Sequence, residues 1–161
     1  MALSTRTPFV ESDVQMLVEA IWSTVLSLQA RRARSGRDLR LDDAGPVITG
    51  CAQITGAWEG AVLLECSVAL AHRAAAAVFR TDPAELSVAD LEGAIGELTN
   101  MHGGNLKGLL PDSCFLSLPA VVHGRDHRLR VPGAAEVCRQ VYECDGERFV
   151  VSILGRTAHG A

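Results

Sequence analysis

Apolar residues recur along this chain in two rhythms, and the switches between them predict its elements. From Ser12 to Ala30 the spacing is helical, with Val14, Leu17, Val18, Ile21, Val25 and Leu28 on one stripe. Ser12 is placed to cap that helix, and Glu11 and Asp13 suit its positive end. Pro46 to Thr55 is rich in β-branched residues and reads as a strand; GAWEG turns the chain and AVLLECS returns beside it. VALAHRAAAAVFR gives a shorter helix, broken at Thr81-Asp82-Pro83. Ser87 to Leu110 is a long helix with Ser87 at its cap, Asp90 three residues on and Pro111 as its stop. Its apolar stripe is Val88, Leu91, Ile95, Leu98, Leu106 and Leu109. Beyond it, FLSLPAVV reads as a strand in which Pro119 marks an edge or bulge. HRLRVP is a short strand and Gly133 to Glu136 a loop. VCRQVYEC and ERFVVSIL form a hairpin through Asp145-Gly146.

Short turns between strands predict a mainly antiparallel sheet, and with it an α+β fold of two long helices and one shorter helix. A helix followed by strands occurs twice, which suggests an internal pseudo-repeat. At the matching phase of the first helix stands Glu19-Ala20-Ile21-Trp22. The 161 residues are expected to form a single domain, with disordered tails at 1–8 and 156–161.

The long helix carries the candidate chemistry. Opposite its apolar stripe lie Glu97 and Asn100, one turn apart, so that their tips can act on one point. Gly93, Gly96, Gly104 and Gly108 surround them, and Lys107 stands at the rim. Each glycine inside a helix costs about 0.5–1 kcal/mol relative to alanine. Several on one side predict a surface that a bulky partner approaches closely. The plainer alternative is an ordinary solvated helix face. His102 falls on the apolar side and reads as a hydrogen-bonded core histidine, and Asn105 as a packing or termination residue.

Composition narrows the rest. Hydrophobic residues make up 48% and charged residues 21%, which describes a globular chain rather than a disordered one. The net charge of −4 argues against general nucleic-acid binding. The local run Arg31, Arg32, Arg34, Arg37 and Arg40 lacks aromatics and reads as a solvated loop. There is no secretory signal and no apolar run of spanning length, so a cytoplasmic location without membrane contact is expected. The five cysteines, Cys51, Cys66, Cys114, Cys138 and Cys144, then read as small buried hydrophobes. A zinc set of Cys114, His123, His127, Cys138 and Cys144 lacks any CxxC pair. GGNLKG does not fit the phosphate-binding loop pattern, and no GxSxG nucleophile elbow exists.

The run GELTNMHGGNLKGLL followed by LSLPAVVHG resembles the CheX-like chemotaxis phosphatases, a group with CheC and FliY as wider relatives. ITGAWEGAVLLECSVALAHRAAAAVF is similar to that family's strand–turn–strand–helix, so the resemblance spans about Pro46 to Leu154. It implies a phosphatase acting on the aspartyl phosphate of a response-regulator receiver domain of the CheY kind. In that family's terms Glu97 pairs with the receiver's lysine and Asn100 orients the attacking water. Gly93, Gly96, Gly104 and Lys107 would then meet the partner. The Mg2+ is expected in the receiver, with no cofactor held by this chain, and a homodimer is implied. Family members often carry a small polar or acidic residue where Gly93 stands. The first helix has no second Glu-x-x-Asn pair, which speaks against a two-site CheC-like enzyme. The rival readings are a non-catalytic adaptor of the same fold in a signalling or motor-switch complex and a small-ligand sensor domain.

Overall fold

The computed structural model describes residues 8–34, 40–111, 113–124 and 131–156. Within them one antiparallel sheet is built from β1 (Arg31–Arg32), β2 (Val47–Gly56), β3 (Gly60–Ser67), β4 (Cys114–Leu116), β5 (Ala120–Gly124), β6 (Ala134–Cys144) and β7 (Glu147–Arg156). The strand order is β1-β6-β7-β3-β2-β4, and β5 also pairs with β2. The helices are α1 (Glu11–Val25), α2 (Val68–Phe79) and α3 (Val88–Lys107). This is the expected α+β architecture.

Alternation along the strands explains the layering. Ile48, Ala52 and Ile54 of β2, Val62, Leu64 and Cys66 of β3, and Phe149, Val151 and Ile153 of β7 all enter one core cluster. The same cluster takes the inner stripes of the three helices, including Val14, Val18, Leu70, Ala74, Leu91 and Leu98. Period 2 from the sheet and period 3.6 from the helices thus bury their apolar sides against each other. Each fully buried large apolar side chain contributes about 1.5–3 kcal/mol. The β6–β7 hairpin turns at Asp145 (φ 51°) and Gly146 (φ 79°), the two positive φ values that an Asp-Gly turn supplies. Phe9 is buried and meets the Trp58 ring edge-on at 5.3 Å, which ties the chain before α1 to the β2–β3 turn. Glu59, in the same turn, pairs with Arg156.

Several boundaries differ from the sequence reading. α1 ends at Val25 rather than Ala30, because Ser27 takes a left-handed φ of 55°. Its N-cap is Val10, without a side-chain hydrogen bond, so Ser12 does not cap it. Arg31 and Arg32 are not solvated loop: they pair with Glu143 and Tyr142 and extend the sheet beyond β6. Arg32 also lies 3.8 Å from the Glu11 carboxylate. Arg37 and residues 127–130, most of the expected HRLRVP strand, lie outside the described residues, while Val131 and Pro132 belong to no strand. The expected loop from Gly133 gives way to β6 at Ala134, with a register shift between Glu136 and Cys138. The expected FLSLPAVV strand is broken at Ser117–Pro119 into β4 and β5, both on the same edge of β2. Of the tails, residues 1–7 and 157–161 lie outside the described residues, and Arg156 closes β7.

Trp22, the α1 residue three positions after Glu19, belongs to the core. It is fully buried and stacks on Phe149 at 3.9 Å, with Tyr142 on Phe149's ring at 4.9 Å. Glu19 accepts a hydrogen bond from Gln15 at 2.9 Å. The residue three after Glu19 on α1 is therefore a core anchor, whereas the residue three after Glu97 on α3 is the exposed Asn100.

Candidate functional site

α3 begins with a complete capping box. The Ser87 hydroxyl accepts from the Asp90 N–H at 3.2 Å, and the Asp90 carboxylate accepts from the Ser87 N–H at 2.9 Å. The helix ends at Lys107 with Gly108 as its cap, three residues before Pro111. Leu91, Ala94, Ile95, Leu98, Thr99, His102 and Leu106 are buried. Val88 opens the helix and Leu109 follows its end; both are exposed, at 53% and 41%, because the core does not reach past either terminus.

A close seat holds the helix to the sheet. A β-carbon at Gly50 of β2 would collide with Thr99 Oγ1, whose hydroxyl donates to the Ile95 carbonyl at 2.7 Å. At Gly103 a β-carbon would lie 2.8 Å from Leu116 Cδ1 of β4. Thr99 and Gly50 were not singled out from the sequence. A glycine inside a β-branched strand was the available signal, since it marks a close approach.

The outward stripe reads Ala89, Gly93, Glu97, Asn100, Gly104 and Lys107, all exposed. Glu97 and Asn100 make no hydrogen bond or ion pair with the described residues, and neither does Lys107. Asn105 behaves differently: its side-chain amide donates to the Met101 carbonyl at 2.8 Å. The glycines divide into two kinds. Gly96, expected on the open side, is buried, and a β-carbon there would lie 3.6 Å from Pro119 and 3.7 Å from Val121. It faces the β4–β5 edge, not solvent. A β-carbon at Gly104 would meet nothing within 4 Å, and one at Gly93 would make ordinary 3.7 Å contact with the Phe79 ring. The protein's own packing thus has no need of bare backbone at Gly93 or Gly104.

Other chemistry is remote or suppressed. Burial pushes the Cys66 thiol up, and Cys138 to about 11, so neither supplies a thiolate at neutral pH. Cys114 sits on β4 while Cys138 and Cys144 sit on β6, four strand spacings away. At about 4.8 Å per spacing these cannot share one ion; His127 lies outside the described residues. A cleft of about 640 Å3 lies among Pro46, Val68, His72 and Arg148, away from α3. A convex helix face suits a macromolecular partner rather than an enclosed small molecule.

Against this geometry, the sequence model described as "Chemotaxis phosphatase CheX" matches residues 48–143, more than half of the chain. The chain belongs to the CheX family. Among solved structures, CheX from Vibrio vulnificus is similar with a TM-score of 0.73 and 18% identity, over 92% of this chain and 98% of that one. A CheC-like superfamily protein from Shewanella sp. PV-4 gives 0.69 and 16%, over 91% and 96%. The CheX–CheY–BeF3–Mg2+ complex from Borrelia burgdorferi gives 0.63 and 12%, over 91% and 97%. At these identities the likeness is one of fold. No curated protein sequence matches the chain. No helix among the described residues is long and apolar enough to cross a membrane.

Proposed function

We propose that this CheX-family protein accelerates hydrolysis of the aspartyl phosphate on a CheY-like receiver domain, through the outer face of α3. The carrying observation is the pair Glu97 and Asn100. Both are exposed and unpartnered among the described residues, and the glycines Gly93 and Gly104 beside them leave clearance that the fold does not need. The Borrelia burgdorferi complex of CheX with CheY supports a receiver as the partner.

An acyl phosphate is already activated, so a helper need supply neither nucleophile nor strong base. Phosphoryl transfer depends mainly on position and charge. The Asn100 carboxamide accepts a hydrogen bond from the attacking water through its oxygen and donates through its nitrogen. It thereby holds the water in line with the bond from phosphorus to the aspartyl oxygen. A new P–O bond forms as that bond breaks, leaving inorganic phosphate and a free carboxylate. Glu97 fixes the pose as a charged anchor against the receiver's lysine. Lys107, two turns beyond Asn100, is a rim contact. The Mg2+ is the receiver's own, and a cytoplasmic homodimer completes the reading.

A dephosphorylation time course with Mg2+ and a phosphorylated receiver tests this. Asn100→Ala is expected to lower the acceleration about 100-fold. Glu97→Ala is expected to raise the receiver concentration needed for half-maximal rate. Neither variant should lower the unfolding midpoint, because neither side chain holds the fold and alanine is the better helix former. Decay with wild-type protein equal to decay in buffer, across several receivers, would favour the non-catalytic adaptor.

A further inference from the structure

We infer that the receiver's docking footprint extends beyond α3 onto two apolar flanks, Phe79 at the end of α2 and Leu118 between β4 and β5. The inference rests on the reading of Glu97 and Asn100 given above and concerns what supplies affinity to that site.

The outer stripe of α3 is poor in apolar side-chain area: Ala89, Gly93 and Gly104 leave Glu97, Asn100 and Lys107 as isolated polar or charged tips. A specific interface buries about 800 Å2 on each partner and draws its affinity from a few large apolar anchors. A stripe of glycine and alanine cannot provide them, so they must come from the neighbouring elements.

Two such side chains stand on elements that pack beside the helix. Phe79 is 44% exposed, and its ring tip lies 3.7 Å from where a Gly93 β-carbon would stand, one turn before Glu97. On the other side, Leu116 packs against Gly103 and Pro119 against Gly96. The connector between them therefore runs alongside the helix segment that contains Asn100. Leu118 sits in that connector and is 92% exposed, so it does nothing for the core. Its carbonyl nevertheless accepts from the Ser117 hydroxyl at 3.1 Å, and Ser117 is itself pinned to β2. The Ser117 N–H donates to the Gln53 carbonyl at 2.8 Å, and the Gln53 N–H donates to the Ser117 hydroxyl at 2.9 Å. An apolar side chain displayed on a connector already held in place adds no backbone ordering to the cost of binding, a condition for a useful anchor.

The test is steady-state dephosphorylation over a titration of phosphorylated receiver with Mg2+. Leu118→Ser is expected to raise KM about 5- to 20-fold and leave kcat within about 2-fold. Phe79→Ser should move KM in the same direction, with its unfolding midpoint measured alongside. Asn100→Ala should show the opposite split, a loss in kcat. Met16→Ser removes an apolar side chain of intermediate exposure (70%, between Phe79 and Leu118) from α1 and should change neither constant. An unchanged KM for Leu118→Ser, or a loss confined to kcat, overturns the footprint while leaving the chemistry of Asn100 standing. Absence of acceleration by the wild-type protein overturns both.

Discussion

Two residues past Asn100, His102 turns into the core, fully buried, with Nδ1 2.6 Å from the Leu98 carbonyl oxygen. That hydrogen bond makes Nδ1 the donor of a neutral ring. Burial, partly offset by the bond to Leu98, lowers its pKa from 6.5 to about 4. The folded form therefore binds fewer protons than the unfolded form between these values. The resulting stability is fully present above pH 6.5 and is lost as pH falls toward 4, by on the order of 3 kcal/mol. Urea unfolding at pH 7 and pH 4.5 should show the loss in wild type, and His102→Gln should remove much of it. An equal loss in the variant would assign the pH dependence to other groups. Asn100, in contrast, has nothing to titrate, so this chain's proposed catalytic group adds no pH dependence of its own across that range. The residue's two-position phase shift along the helix was enough to read His102 as core from the sequence.

At the scale of the element, α3 separates its duties by side. Gly50 and Gly103 are bare because Thr99 and Leu116 fill the space, whereas Gly104 is bare toward solvent. Opposite outcomes follow for the same substitution. Gly104→Ala should stabilise the protein by about 0.5–1 kcal/mol through helix propensity and lower kcat/KM. Gly50→Ala should destabilise it by about 1–3 kcal/mol through overpacking. Thermal unfolding paired with the receiver assay checks both, and a Gly104→Ala variant with undiminished kcat/KM would remove the clearance argument. Local signals made much of this element legible: Ser87 and Asp90 announced its start, and Asp145-Gly146 likewise announced the hairpin. Non-local contacts hid the rest. Gly96 is covered by Pro119 and Val121, more than twenty residues away in sequence, and nothing in the helix pattern records that. Arg31 and Arg32 became a strand because β6 offered an edge, not because of their own propensity.

Across the molecule, stability is graded from the middle of the sheet outward. β7 lies between β6 and β3, and β3 between β7 and β2, whereas β1 and β4 are edge strands of two and three residues. Amide exchange should be slowest in β3 and β7 and fastest in β1 and β4. A uniform rate across the strands would contradict that grading. The sheet's order could not be read from the chain, since it depends on which distant edges meet; the strands and their antiparallel sense could. One feature of α3 reaches further still. Its outward residues hold up nothing, so a lineage can exchange Asn100 or Glu97 with scarcely any effect on folding. Natural selection for hydrolysis would then leave its mark on a handful of solvent-side codons. Selection for architecture would act on the inward ones, and the two can part company in a single mutational step.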